Sequence, residues 1–209
     1  MGGGDGRRVT VIRRFEPTVV SASFGGGYRK VAFTPITLVT MSGRGTRAID
    51  VLRAAAAVHV VHEYSHDPAA TSGGRVTAER TGYGMEAAAA LGVEPARVFK
   101  TLVADLDGGL VVGVVPVTGE LDLGALARAL DGKRATMADA SAAQRATGYV
   151  VGGISPLGQR RRLPTVIDSS ALEFETVFVS GGRRGLDVEL SPSDLIALTG
   201  AVVAAVGRS

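Results

Sequence analysis

Val98-Phe99-Lys100-Thr101-Leu102-Val103-Ala104-Asp105-Leu106-Asp107-Gly108-Gly109-Leu110-Val111-Val112-Gly113-Val114-Val115-Pro116-Val117 is the stretch that sets the fold class. Two β-rich runs, residues 98–105 and 110–117, flank Asp107-Gly108-Gly109, which supplies the turn chemistry of a β-hairpin. Upstream, Ile49, Leu52 and Ala56 recur at three- and four-residue steps and predict a helix over 47–57. A strand over 58–64, a polar Gly-containing loop over 67–81 and a helix over 83–91 stopped by Gly92 follow. Downstream come a helix over 122–130, a strand over 134–137, and a helix capped by Asp139 that reaches residue 146. The long loop 148–162, a strand over 165–168 and a second hairpin (175–180 with 186–190) come next. Ser191-Pro192-Ser193-Asp194 opens the last helix, with Pro at the first helical position and an acid two residues on. Hairpins adjoin and helices are interspersed without a βαβ rhythm, so the class is α+β with a mixed or largely antiparallel sheet.

Composition excludes several function classes. The 209 residues are 45% hydrophobic and 21% charged, enough to build a packed core. The chain has no cysteine, which rules out a disulfide scaffold, a cysteine-ligated zinc and a protein thiol nucleophile, and fits a reducing, cytoplasmic setting. Aromatics are 5% with no Trp, too few for a base-stacking platform. No apolar run approaches a membrane span and the leading residues lack a secretory core. The net charge of +3 is unevenly spread: residues 1–43 carry six basic side chains against two acidic ones, leaving the remainder at 17 basic against 18 acidic. The expectation is a disordered or poorly ordered N-terminal extension over 1–43 that is not part of the fold, with Met41 as a natural initiator, ahead of one domain over 46–206. A basic arm touching RNA is the competing reading.

Chemistry-bearing residues are few. His59 and His62 are an odd number apart on a strand and face opposite sides, and His66 lies beyond it, so a shared zinc is rejected. Lys100 is one of three lysines against twenty arginines, and it sits among apolar strand neighbours. It must find a charge partner, reach solvent or line a cavity. The loop Gly148-Tyr149-Val150-Val151-Gly152-Gly153-Ile154-Ser155-Pro156-Leu157-Gly158 allows backbone amides to approach a ligand oxygen. Arg160, Arg161 and Arg162 follow it and could hold a phosphate backbone; a surface turn with a solvated charge run is the plain alternative. Ser180-Gly181-Gly182-Arg183-Arg184-Gly185 is a Gly-rich turn, and Asp187 beyond it could bind an amine if it faces a cavity.

Taken together, these segments are more specific than any one of them. His62-Glu63-Tyr64-Ser65-His66-Asp67-Pro68, Ala90-Leu91-Gly92 and Phe99-Lys100-Thr101-Leu102 resemble the YbaK/EbsC family of prolyl-tRNA editing proteins. So do Met137-Ala138-Asp139, Thr147-Gly148-Tyr149 through Gly158, Ser170-Ala171-Leu172-Glu173-Phe174-Glu175 and Ser180-Gly181-Gly182-Arg183-Arg184-Gly185-Leu186, in the family's order. The resemblance implies an α+β domain built on a mixed, barrel-like sheet with surrounding helices, and no metal or other cofactor.

It also implies a trans-editing deacylase that releases cysteine from Cys-tRNA(Pro), and by extension from Cys-tRNA(Cys). Lys100 matches the family's essential lysine, with Thr101 beside it; Gly152 and Gly153 match its backbone-binding loop. Ser180 and Asp187 match polar pocket residues, Tyr64 a pocket tyrosine, and Tyr83 an aromatic position. Arg160 to Arg162 would guide the acceptor end of the aminoacyl-tRNA. A domain of net charge −1 does not explain choice of tRNA, so prolyl-tRNA synthetase is the expected partner; no oligomeric state is implied. With no protein thiol or triad, the substrate's own thiol is the expected nucleophile. A water-dependent deacylase of another small aminoacyl-tRNA and a non-catalytic tRNA- or synthetase-binding module are the alternatives.

Overall fold

Asp107 and Gly108 both have positive φ, 52° and 89°, as a two-residue type I′ turn requires. They close the expected hairpin, which the computed structural model, describing residues 8–12, 45–65 and 82–208, places inside a mixed sheet. In chain order the elements are β1 (Arg8–Ile12), α1 (Arg47–Ala54), β2 (His59–Glu63), α2 (Gly82–Leu91), β3 (Val98–Leu106), β4 (Gly109–Pro116), β5 (Glu120–Leu121), α3 (Leu123–Ala129), β6 (Ala135–Met137), α4 (Ala140–Thr147), β7 (Thr165–Asp168), β8 (Val177–Arg183), β9 (Leu186–Leu190), α5 (Pro192–Thr199), β10 (Val202–Ala204) and β11 (Gly207–Arg208).

The strands run β1-β2-β9-β8-β3-β4-β7-β10, with β6 joined to β3 and a separate β5–β11 pair. Hairpin neighbours are antiparallel, whereas β3–β8, β4–β7 and β7–β10 are parallel. The sheet is therefore mixed, as expected. One feature of β3 positions the site. On the edge away from β4 it pairs with β8 only at Val98 and Phe99, and with β6 only from Ala104 to Leu106. Between the two, residues 100–103 have no strand partner on that edge among the described residues, the Val103 carbonyl accepting only the Ala138 N–H at 3.1 Å, so the sheet forks beside Lys100 and Thr101.

The helices close over this frame at sequence-encoded starts. Thr46, Asp122, Asp139 and Ser191 each accept a backbone N–H at a helix N-terminus, satisfying donors the helix cannot bond itself. From α1, Ala48, Ile49 and Leu52 enter the main core with Phe99 and Val103 of β3. On the other side of β3, Ala104 packs with Leu126 of α3. Helix α2 lies close because its inner face is small: Ala87 and Ala88 are buried against Val98, Val117 and Phe178.

Several boundaries differ from expectation. The first helix ends at Ala54 and not at residue 57, because Ala56 turns to a φ of 50°. The second hairpin starts at Val177 and extends past residue 180 to Arg183, through a register shift between Ser180 and Arg183. The short strands β5, β10 and β11 carry no periodicity long enough to read. Within the expected extension 1–43, residues 8–12 run antiparallel to β2, with Arg8 opposite Glu63. Met41, His66 and the loop 67–81 lie outside the described residues.

Candidate active site

Beside the unpaired edge of β3 is a cavity of about 390 Å³, within the roughly 300–1,000 Å³ usual for small-molecule sites. The fork explains its lining. With no neighbouring strand at residues 100–103, side chains from both faces of β3 reach it, Lys100 and Leu102 as well as Thr101 and Val103. Several other segments complete it, among them Met137 at the end of β6 and Ala143 of α4. Tyr64 comes from the end of β2, Tyr83 and Ala87 from α2, Gly152 from the long loop, and Ser180 and Asp187 from β8 and β9, where they stand opposite each other in register.

The polar groups are held in an apolar setting. Asp187 is 6% exposed, and burial pushes its carboxyl up to about 7, opposed by a hydrogen bond from the Tyr64 hydroxyl. Burial, the Asp187 charge and that same hydrogen bond hold the Tyr64 hydroxyl far above its ordinary range. Tyr64 is anchored by its backbone N–H, which donates to the Gly185 carbonyl at 3.0 Å. Burial lowers the Lys100 ammonium from its usual value, and the Glu120 charge opposes that. Among the described residues, three buried side-chain polar atoms lack any partner: His59 Nε2, Thr101 Oγ1 and Asp187 Oδ2. The last two belong to the cavity's lining. Each such atom costs roughly 1–3 kcal/mol.

The Gly-rich loop is wrapped around Tyr149, whose buried hydroxyl donates to the carbonyls of Leu157 and Gly158 at 2.8 and 3.2 Å. Gly152 has a φ of 83°, and a Cβ there would fall 2.9 Å from the Tyr83 ring and 3.0 Å from Arg184 Nε. Only glycine fits. The two adjacent glycines have different places. Gly152 lines the cavity, while Gly153 is buried against the Arg183 backbone and its N–H donates to the Val150 carbonyl at 2.9 Å.

Seven sequence-expected residues thus meet in one place: Tyr64, Tyr83, Lys100, Thr101, Gly152, Ser180 and Asp187. Arg160, Arg161 and Arg162 are exposed and outside the lining; the Arg162 guanidinium donates to the Thr199 carbonyl at 3.3 Å, at the C-terminus of α5. His59 is buried with Nδ1 on the Ala57 carbonyl at 2.8 Å, whereas His62 meets Glu189 at 3.0 Å. Arg184 went unread as a site residue. Its guanidinium lies 4.7 Å from the centre of the Tyr83 ring and donates to the Val151 carbonyl from Nε and Nη2 at 3.2 and 2.9 Å. It stood in a quoted motif, yet only the tertiary fold reveals that this turn reaches the Gly152 loop.

A family model described as aminoacyl-tRNA editing domain matches residues 81–198. EbsC of Enterococcus faecalis (strain ATCC 700802 / V583) is 40% identical over 113 residues, 54% of this chain and 69% of that protein. Its name provisionally ascribes to it Cys-tRNA(Pro)/Cys-tRNA(Cys) deacylase activity. A crystal structure provisionally described as a trans-editing enzyme for prolyl-tRNA synthetase superposes with a TM-score of 0.59 at 30% identity, covering 71% of this chain and 86% of that one. A hypothetical protein of known structure superposes with a TM-score of 0.66 at 29% identity, covering 78% of this chain and all of that one.

Proposed function

Since the chain belongs to the aminoacyl-tRNA editing domain family, we propose that its cavity deacylates Cys-tRNA(Pro), and Cys-tRNA(Cys) by the same chemistry. The observation that carries this reading is the pair of unpartnered buried atoms, Thr101 Oγ1 and Asp187 Oδ2, in the lining that also holds Lys100. Such atoms call for an explanation, and a role toward the polar aminoacyl group supplies one.

In this reading Asp187 attracts the aminoacyl ammonium, whose positive charge favours the ionised carboxylate. The Gly152 N–H receives the ester carbonyl oxygen. Lys100 offsets negative charge, either on the terminal adenosine's phosphate or on the oxygen of the tetrahedral intermediate. The described lining contains no histidine or cysteine, and Ser180 Oγ accepts the Gly182 N–H at 3.3 Å. That supports the substrate thiol as nucleophile. Its sulfur adds to the carbonyl carbon to give the tetrahedral intermediate, whose collapse breaks the ester C–O bond and leaves a cysteine thiolactone; the proton lost by the thiol ends on the released ribose hydroxyl, and water then opens the thiolactone to cysteine. The protein then contributes orientation and charge stabilisation, where effective concentration supplies much of the rate. Delivery of the tRNA falls to prolyl-tRNA synthetase, and Arg160 to Arg162 are available to the acceptor stem.

Lys100→Ala tests the assignment. We expect deacylation of Cys-tRNA(Pro) to fall at least about a hundredfold, as when a single electrostatic donor is removed, with the unfolding midpoint little changed. Full activity in a folded Lys100→Ala protein removes Lys100 from the mechanism.

A further inference from the structure

Val150 to Gly153 form a β-turn, closed by the hydrogen bond from the Gly153 N–H to the Val150 carbonyl. Its third residue, Gly152, has a φ of 83°, close to the +80° of a type II turn and far from the −90° of type I. The two types differ by a flip of the peptide between the second and third residues, here Val151–Gly152. The flip reverses both ends of that peptide, since its C=O and N–H are coplanar and point opposite ways. Glycine makes the type II form accessible without making it unique, because Gly adopts either sign of φ.

Arg184 breaks that balance. Two of its N–H groups grip the Val151 carbonyl, and its guanidinium is stacked on Tyr83. Arg184 itself is exposed and outside the cavity lining, whereas Val151 and Gly152 are within it. We infer that Arg184 is a positioning residue for the proposed deacylation: by holding the Val151 carbonyl outward it aims the Gly152 N–H at the substrate carbonyl. The inference rests on the deacylase reading of the cavity and adds a residue that touches no substrate atom. A charged, two-pronged hydrogen bond to one carbonyl is enough to bias a flip that glycine leaves nearly free.

The test compares wild type, Arg184→Ala and Arg184→Lys by kinetics with Cys-tRNA(Pro) and by the Gly152 amide resonance of the free protein, labelled with ¹⁵N-glycine. Arg184→Ala is expected to lower kcat about tenfold or more, a part of the effect of deleting such a donor, with KM and the unfolding midpoint little changed. Its Gly152 amide should shift and broaden. Arg184→Lys, which keeps the charge and loses the planar fork, should stay well below wild type. Three results would overturn the inference: wild-type kcat in Arg184→Ala, full recovery in Arg184→Lys, or a loss confined to KM and abolished by salt, which marks a phosphate contact. An unperturbed Gly152 amide in Arg184→Ala also overturns it, even where activity falls. If wild type releases no cysteine, the deacylase reading fails separately, and the resonance still decides whether Arg184 holds the turn.

Discussion

Asp187 and Thr101 are where stability and function pull apart. An ordinary aspartate ionises near 3.8, whereas Asp187 in the fold does so at about 7. Between those values the native protein holds a proton that the unfolded chain has released, so this residue's contribution to stability falls as pH rises from about 4 to about 7. Asp187→Asn removes the ionisation. We predict melting midpoints that match wild type near pH 4 and exceed it near pH 8, together with loss of the rising limb near pH 7 in kcat/KM. Equal midpoints at both pH values would contradict the buried carboxyl as the source of the slope. Thr101→Val is nearly isosteric and removes a buried hydroxyl that has no partner. It should stabilise the protein by about 1 kcal/mol while lowering deacylation, and a destabilised variant would mean that the hydroxyl is satisfied within the fold.

The elements were legible in the sequence where local chemistry decides them. Asp107-Gly108-Gly109 reads as a turn, and Asp139 and Ser191 mark helix starts that the structure keeps. The fork of β3 was not legible. Alternation along residues 98–103 assigns two faces, but nothing in that run says that β8 leaves after Phe99 and β6 arrives only at Ala104. Long-range pairing makes the cavity, and long-range pairing leaves no local signature. Helix α2 carries a comparable hidden constraint at Gly84, where a Cβ would lie 2.2 Å from Val117 Cγ1. Gly84→Ala must push α2 away from β4's end and move Tyr83 with it. We predict destabilisation of about 1–3 kcal/mol, typical of overpacking, read by thermal unfolding, with weaker deacylation; an unchanged midpoint would show that α2 shifts freely.

At the scale of the whole molecule, the excess charge and the site residues lie in different parts of the sequence. The excess positive charge belongs to residues 1–43, while the cavity is lined by residues between 64 and 187, from β3, α2, β6, α4, β8, β9, the end of β2 and the long loop. The contribution of the leading segment to the sheet is β1, on the outer edge of β2. We propose that a chain beginning at Met41 folds and deacylates as the full chain does, with the loss of β1 costing stability at that edge alone. Weakened tRNA binding in the shortened chain would instead make the basic segment an RNA arm. Among the described residues no helix is long and apolar enough to cross a membrane. The site residues were readable as a set through family resemblance, and Arg184 was not, because its contact with the Val151 carbonyl depends on where a turn of one hairpin meets a loop 33 residues away in the chain.

The central claim is that this cavity removes cysteine with help from the substrate's own thiol. Single-turnover deacylation of Cys-tRNA(Pro), Ser-tRNA(Pro) and Ala-tRNA(Pro) by the same preparation tests it most directly, since the three aminoacyl groups differ at one atom and the cavity must seat them all. The account predicts release from Cys-tRNA(Pro) at least about a hundredfold faster than from the other two, a floor well below the largest advantage that intramolecular attack confers. Clearance of Ala-tRNA(Pro) as fast as Cys-tRNA(Pro) would contradict it and make a water held in the cavity the nucleophile.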